Sequence, residues 1–541
     1  MPLEALVTGR IATFAGESGF GWVEAIGIRD GRVAFAGTAV SLETRADPHT
    51  LRIELEPGEI AIPGLTDAHL HVIDAALAAT QVDLSTAATL AEGLERIAEG
   101  ARRVPAPGWV FGGGWDQRRW GAWPTAEALE RAAPGRLVAL HSFDHHCLWV
   151  SRATLAAAGI DSSTPDPDGG VIRRDAAGEP EGALLENASG LIEHIVPPPD
   201  SDTVAAAIEL LGHELLSLGV VGAHDPRFLA PDPTNRAFDM YAGMADAGDL
   251  PIRVHVGVRS EGLDDAIARG FRSGQALGGA EAQRAGRLTM GWLKLFADGT
   301  LASRTAALLE PVEGTDNLGM FTTPPDEMAE LVSRAANAGI ATKIHSIGDA
   351  AVRKSLDLLG PTASKVKLMP RLEHVQLCSE ADRSRFAALG VAASVQPVHL
   401  RDDADTARRD WGARAEANGY TWRSLIDAGA VVAFGTDAPV EPIDPWPGIA
   451  MAVLRRDPSW GADAAPFGPN ETLTLEQALR AATVGPHLSA KDPLGGRLVP
   501  GSRADLIVLP AAPREGGERA AAFAEVRPRL VLLDGEVVIE R

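Results

Sequence analysis

Pro63-Gly64-Leu65-Thr66-Asp67-Ala68-His69-Leu70-His71 is the stretch on which the reading of the whole chain turns. It follows the apolar run Ile60-Ala61-Ile62 and ends in two histidines one residue apart. On an extended strand, residues i and i+2 face the same side, so His69 and His71 direct both imidazoles into one space. Pairs at that spacing suit a borderline-soft cation such as Zn²⁺. A His-x-His dipeptide alone is weak evidence. Its position at the end of a strand is what gives it weight.

Seven further apolar runs repeat the pattern, each ending near a polar residue: Gly219 to Asp225, Ile252 to Val256, Leu288 to Phe296, Ile340 to His345, Leu372 to Val375, Val391 to Val395, and Ala430 to Asp437. Between most of them lie Ala/Leu/Glu/Arg stretches of helical period, the βα signature of a parallel sheet. Eight such runs, counting Ile60-Ala61-Ile62, predict an α/β fold, a (β/α)₈ barrel whose C-terminal strand ends form one catalytic face. His345, His374 and Asp437 end strands as His69 and His71 do, so five candidate metal ligands fall on one rim. Asp437 has a second reason to be singled out. A carboxylate at a metal's edge can take a proton from activated water and return it to the leaving group. Asp67 precedes the pair by two residues, and its sequence position fits either direct ligation or orientation of an imidazole.

Roughly 150 residues separate the first and second runs, far beyond the ~2–6 of an ordinary βα loop. An inserted subdomain is expected at about residues 75–205, with its own strand-like pieces Trp109 to Gly112 and Leu137 to Leu140. Its aromatic cluster Trp115, Trp120 and Trp123 either packs the subdomain's own core or forms a substrate-facing wall, Trp115 foremost. His145 and His146 also lie there; as sequence neighbours on a strand they face opposite ways, so at most one reaches the site. Both ends of the chain read as short strands with Gly-rich turns, including the hairpin signal Asp534-Gly535. Residues 1–62 and 485–541 are therefore expected to build one small β-sandwich around a barrel of residues 63–484.

Composition narrows the partners. The 541 residues carry 73 Asp and Glu against 50 Lys and Arg, a formal charge of −23. Such a surface repels phosphate backbones and anionic lipid, so a small-molecule substrate is expected, with no nucleic acid and no membrane. No apolar run reaches the ~18–20 residues that span a bilayer, and the N-terminus lacks a signal-peptide pattern, so the expected location is cytoplasmic. Two cysteines, Cys147 and Cys378, support neither a disulfide framework nor a thiolate zinc site. Homo-oligomers are common among barrel enzymes, but no interface is legible. Dinucleotide, P-loop and Gly-x-Ser-x-Gly signatures are absent, which disfavours nucleotide chemistry and serine hydrolysis.

Lys294 stands between Leu293 and Leu295 on the fourth run, where an ammonium is costly without a partner. Either it snorkels or pairs with Asp298, or burial lowers its pKa and the neutral amine takes up CO₂ to form a carbamate bridging two metals. The Pro63 to His71 stretch, with strand-end His345, His374 and Asp437, resembles the amidohydrolase superfamily, and Gly113-Gly114-Trp115-Asp116, Gly182 to Glu186, Lys294 with Asp298-Gly299-Thr300, His345 to Asp349, Arg371-Leu372-Glu373-His374, Ser394 to Pro397 and Gly435-Thr436-Asp437 narrow the resemblance. Within it, the resemblance is to family 3, the YtcJ-like metal-dependent hydrolases that include N-substituted formamide deformylases. It implies a metal-dependent barrel hydrolase with a terminal β-sandwich and the carboxylated, bridging role for Lys294. Some relatives use a glutamate in place of that lysine, which makes Glu186 a rival metal contact.

Arg304, His224 and His399 complete the candidates as substrate contacts, against a salt bridge for Arg304 and a hydrogen-bonded core pair with Asp225 for His224. The expected activity is hydrolysis of a non-peptide C–N bond, an amide or N-formyl group, using one or two divalent ions, Zn²⁺ foremost. The alternatives are an ester or lactone cleaved at the same site, or a non-catalytic small-molecule binder.

Overall fold

The computed structural model describes residues 3–104, 106–142, 147–167, 169–197, 200–227, 232–461, 463–510 and 522–541; His145 and His146 lie outside them. Eight parallel strands form the central sheet, here β1 (Leu65–Asp67), β2 (Val220–Asp225), β3 (Arg253–Arg259), β4 (Leu288–Phe296), β5 (Thr342–Ser346), β6 (Arg371–His374), β7 (Ala392–Val395) and β8 (Val432–Phe434). Each pairs with its sequence neighbour, for example His224 opposite His255, Lys294 opposite Lys343, and His345 opposite Glu373. Three backbone hydrogen bonds join the two ends: Ala68 N–H to Phe434 O (2.9 Å), Asp437 N–H to His69 O (2.7 Å) and His71 N–H to Ala438 O (3.0 Å). The sheet is therefore a barrel whose seam runs directly beside the His-x-His pair.

The strands are buried on both faces because helices cover the outside, which is why they read as continuous apolar runs. The helix Pro325–Asn337 shows how the sequence specifies that cover. Proline opens its first turn, Asp326 and Glu327 sit where the helix dipole favours negative charge, and Arg334 lies in the last turn. Met328, Val332, Ala335 and Ala336 are its buried residues, at i, i+4, i+7 and i+8.

One expectation needs correction. Ile60-Ala61-Ile62 does not belong to the barrel. The strand Ile60–Pro63 pairs antiparallel with Leu506–Leu509, and the first barrel strand is the three-residue β1. Pro63 ends the first of the two, and Gly64 separates them. Proline brings no N–H for further pairing, and a Cβ on Gly64 would lie 2.6 Å from a Val221 methyl. Both termini meet in this second, eight-stranded sheet, ordered Glu536–Glu540, Leu530–Leu533, Leu506–Leu509, Ile60–Pro63, Ala5–Ala12, Trp22–Arg29 and Arg32–Gly37, with Leu51–Glu54 beside Ala5–Ala12. Val7, Ile26, Ile28, Leu506, Val508 and Leu532 fill its core, each burial contributing ~1.5–3 kcal/mol. Asp534 and Gly535 both take positive φ, as a tight hairpin turn requires.

Residues Ala76–Ala207 form a separate compact unit around a six-stranded sheet. Trp115 is fully buried there, packed against Trp120, Trp123 and Trp149, and its indole N–H donates to Leu140 O at 2.8 Å. A side chain enclosed in this way belongs to the unit's own core, so the substrate-wall reading of Trp115 gives way to the packing one. Among the described residues no helix is long and apolar enough to cross a membrane.

Candidate metal centre

The C-terminal ends of β1, β5, β6 and β8 place His69, His71, His345, His374 and Asp437 at one mouth of the barrel. His71 Nε2 is 3.1 Å and His69 Nε2 3.3 Å from the same Asp437 oxygen, Oδ1. The candidate ligand atoms of these three lie within 4.8 Å of one another, and those of His374, His399 and Asp437 do likewise. Asp437 is common to both groups. His69 Nε2 is buried and makes no hydrogen bond among the described residues. A buried nitrogen lone pair facing a carboxylate and a second imidazole is the donor set of a divalent-ion site. These residues fit a metal.

The unused ring nitrogens are tied down, which fixes the tautomers. His69 Nδ1 is hydrogen-bonded to Glu373 Oε2. His374 Nδ1 is 2.8 Å from Gln396 Oε1, which leaves Nε2 for an ion. His345 donates through Nε2 to Gly299 O at 3.1 Å, turning Nδ1 the other way, and its ring centroid is 4.5 Å from that of His374. Such partners set which nitrogen ligates and raise its basicity. Burial is the largest influence on the basicity of His69 and His345, lowering them to about 3 and about 4, so both imidazoles are neutral and able to coordinate.

The backbone is strained at this rim. His374 has φ 74° and Asp437 φ 64°, left-handed values that cost ~1–3 kcal/mol for residues with a Cβ. The turn at His374 breaks the strand's alternation, so that consecutive Glu373 and His374 both approach His69, the first by hydrogen bond and the second with ring centroids 5.1 Å apart. Gly435 permits the close approach of β8 to β1, since a Cβ there would lie 2.5 Å from His69 N. Asp67 is a brace: it accepts from His69 N–H (2.9 Å), Thr436 N–H (3.1 Å) and the Thr436 hydroxyl (2.6 Å), holding the seam where the two ligand-bearing strands meet.

Lys294 is buried on β4, its ammonium 4.6 Å from the Phe296 ring centroid. Burial lowers it to about 8 against the opposing pull of Glu373 and Asp437. Asp298, its expected partner under the simpler reading, instead accepts from the backbone amides of Ala307, Ile347 and Gly348. Glu186 ends the strand Pro180–Glu186 of the inserted unit, where it is exposed.

Two of the expected substrate contacts are held by other side chains of the protein. Arg304 makes a two-point ion pair with Asp410, at 2.9 and 2.8 Å. His224 is fully buried inside the barrel and accepts from Arg371 through Nδ1 at 2.9 Å, while its neighbour Asp225 accepts from the Tyr241 hydroxyl. His224 has no exposed surface to offer a ligand, whereas the Arg304 side chain stays 45% exposed beside its partner. His399 is placed otherwise: Nε2 lies 3.3 Å from Asp437 Oδ2 and Nδ1 3.3 Å from Glu441 Oε1. Although burial pulls it down, those two bonds push His399 up to about 10. It holds Asp437 from the side away from His71.

Sequence reasoning missed the support beneath the ligands. Glu373 accepts from Arg371 Nε at 2.7 Å, and Arg371 also donates to Ala68 O at 2.7 Å and stacks 4.5 Å from the Trp292 ring centroid. Arg371 and Glu373 are both wholly enclosed. Two opposite charges at i and i+2 on a buried strand were the available signal, since only a paired arrangement tolerates that burial. Lys343, also enclosed, gave a fainter one.

Comparison with known proteins agrees with this architecture. The model of the amidohydrolase family matches residues 57–539. The chain is 30% identical over 523 residues to the putative amidohydrolase YtcJ of Bacillus subtilis, covering 96% of each. It is 28% identical over 545 residues to the N-substituted formamide deformylase of Arthrobacter pascens, covering 96% of this chain and 95% of that one. Among solved structures, an uncharacterized metal-dependent hydrolase from Pyrococcus horikoshii superposes with a TM-score of 0.77 at 25% identity, over 96% of this chain and 99% of the other. With its barrel, its terminal sheet and its rim of imidazoles around one aspartate, the chain belongs to the amidohydrolase family and is a metal-dependent hydrolase.

Proposed function

We propose that the protein hydrolyses a non-peptide C–N bond, an amide or N-formyl group, in a small molecule, with Zn²⁺ as the ion. The observation that carries the reading is the double hold on Asp437: Oδ1 faces His71 and His69, while Oδ2 rests on His399. His69, His71, His345 and His374 would hold one or two ions, with Asp437 shared. A divalent ion there supplies Lewis acidity toward the carbonyl and lowers the pKa of water toward ~7. Asp437 takes the proton of the attacking water and returns it to the departing nitrogen, a task suited to a carboxylate at the rim whose orientation two sides fix. His399, charged, opposes the loss of that orientation. Lys294 adds through its neutral amine to CO₂ and releases one proton, giving a carbamate whose oxygens complete the donor set. The amide rather than ester preference draws support from the likeness to N-substituted formamide deformylase.

A panel of matched amides, N-substituted formamides, esters and lactones tests the bond. Turnover of amides or formamides is expected; ester turnover with none of the amides would contradict the proposal. Elemental analysis at controlled bicarbonate tests Lys294. Two ions per chain should fall to one or none in Lys294→Ala, and unchanged occupancy would remove the lysine from the site.

A further inference from the structure

A second cavity, of about 440 Å³, opens at the opposite end of the barrel from the metal rim. Its walls include Val221 and Gly222 at the start of β2, Arg253 and Val254 at the start of β3, and Thr289 near the start of β4. Six Arg or Lys residues and two Asp line it, on a chain whose formal charge is −23. Arg253 is neutralised by Asp505 and Asp534, and Arg503 by Asp492. Among the described residues, the other four cations have no carboxylate partner. Arg32 and Lys367 donate to backbone carbonyls, of Gly501 and Gly274. Arg284 and Lys491 make no ion pair among the described residues.

We propose that this cavity binds a small organic or inorganic anion carrying two or more negative charges, through phosphate or carboxylate oxygens. Four like charges around one hollow repel each other, and a multivalent anion at their centre reverses the sign of every one of those interactions. On so acidic a protein, random placement would scatter carboxylates among them; here the acids present are already paired. The interior end offers further polar groups: the Thr66 hydroxyl bonded to His487 Nε2 at 3.2 Å, and the His255 ring. A guanidinium and ammonium rim over a hydroxyl and imidazole floor is chemistry for oxygen anions, with Arg able to take two oxygens at once. The site is separate from the reaction, because the ligands for the metal lie on the C-terminal strand ends.

The test is calorimetric titration of the metal-loaded protein at low ionic strength with inorganic phosphate and, separately, with succinate. Sodium chloride at matched ionic strength is the reference. One anion per chain is expected, with binding weakened at least ~10-fold in Arg284→Glu/Lys491→Glu, about a factor of three or more for each reversed charge. Arg284→Gln/Lys491→Gln, a milder pair at exposed positions, should weaken it to a lesser degree. His71→Asn, altered only at the metal rim, should bind as the parent does. Binding of phosphate alone, succinate alone or both supports the site and identifies the oxygen group it prefers. No heat beyond that of chloride would overturn the proposal. So would binding that survives Arg284→Glu/Lys491→Glu but disappears in His71→Asn, which would place the anion at the metal.

Discussion

Replacing Glu373 with glutamine probes the support under the metal centre with the least change in shape. Glu373 is wholly enclosed, accepts from Arg371 Nε at 2.7 Å, and holds His69 Nδ1. Its charge is kept because Arg371 and His69 outweigh the cost of burial, holding the carboxyl well below its usual range. Glutamine removes that charge and offers one acceptor where two donors converge. The guanidinium of Arg371, itself enclosed, then lacks its counter-charge, and breaking a buried pair from one side costs ~3–5 kcal/mol. His69 loses the partner that sets its tautomer, a loss that typically lowers metal affinity ~10–100-fold. The two effects are separable. Denaturant unfolding of the metal-free proteins reads the first, free of the linkage that bound metal adds; competition against a chromophoric chelator reads the second. The double variant Arg371→Met/Glu373→Leu should regain most of the stability while leaving metal affinity low, because it removes the orphaned charge without restoring a partner for His69. Unchanged metal affinity in Glu373→Gln would refute the assignment of Glu373 as the residue that positions His69.

Three further outcomes are expected. Asp437→Asn should fold and retain much of its metal but lose ~10²–10⁴-fold in kcat, the range of a general acid–base contribution; a fully active variant would exclude the proton-transfer role. Asp505→Asn should be less stable than the parent by ~3–5 kcal/mol at neutral pH, since Asp505 is buried against Arg253 at 2.9 Å. Burial alone would raise the Asp505 carboxyl, but Arg253 lowers it overall, so its stabilisation is complete above the ordinary pKa of ~3.9 and is lost as pH falls below that. Unfolding curves should therefore show the gap between parent and variant closing below about pH 4, and a constant gap would refute the linkage. Trp115→Ala should cost the inserted unit ~3–5 kcal/mol, seen as earlier proteolysis within residues 76–207; unaltered protection would argue against its core position.

What the sequence disclosed was periodicity and strand ends. Each barrel strand after the first is an apolar run covered on both faces, so its outline survives in one dimension, and residues following such runs are necessarily neighbours on the rim. His69, His71, His374 and Asp437 could be grouped for that reason. The first strand was misplaced because Ile60-Ala61-Ile62 is just as apolar; only its partner, Leu506–Leu509, shows that it belongs to the terminal sheet, and that partner is over 400 residues away. Distance along the chain also hid the role of Glu373, whose bond to His69 spans 304 residues. Trp115, Arg304 and His224 looked functional because an aromatic cluster, an arginine after a loop and a strand-end histidine are ambiguous until their partners are known. Arg304 and His224 each have a partner distant in sequence, Asp410 and Arg371. His399 was noticed, but its contact with Asp437 was not, since nothing local indicates that Asp437 turns toward it.

The central claim is that the imidazole and aspartate rim holds the ion on which hydrolysis depends. Its most direct test is to strip the protein with a chelator, restore Zn²⁺ in measured increments, and follow amide hydrolysis and metal content in the same samples. Activity should vanish on stripping and return in proportion to bound ion, with no recovery in His69→Asn/His71→Asn. Full turnover by the stripped protein, or equal recovery in that double variant, would contradict the account.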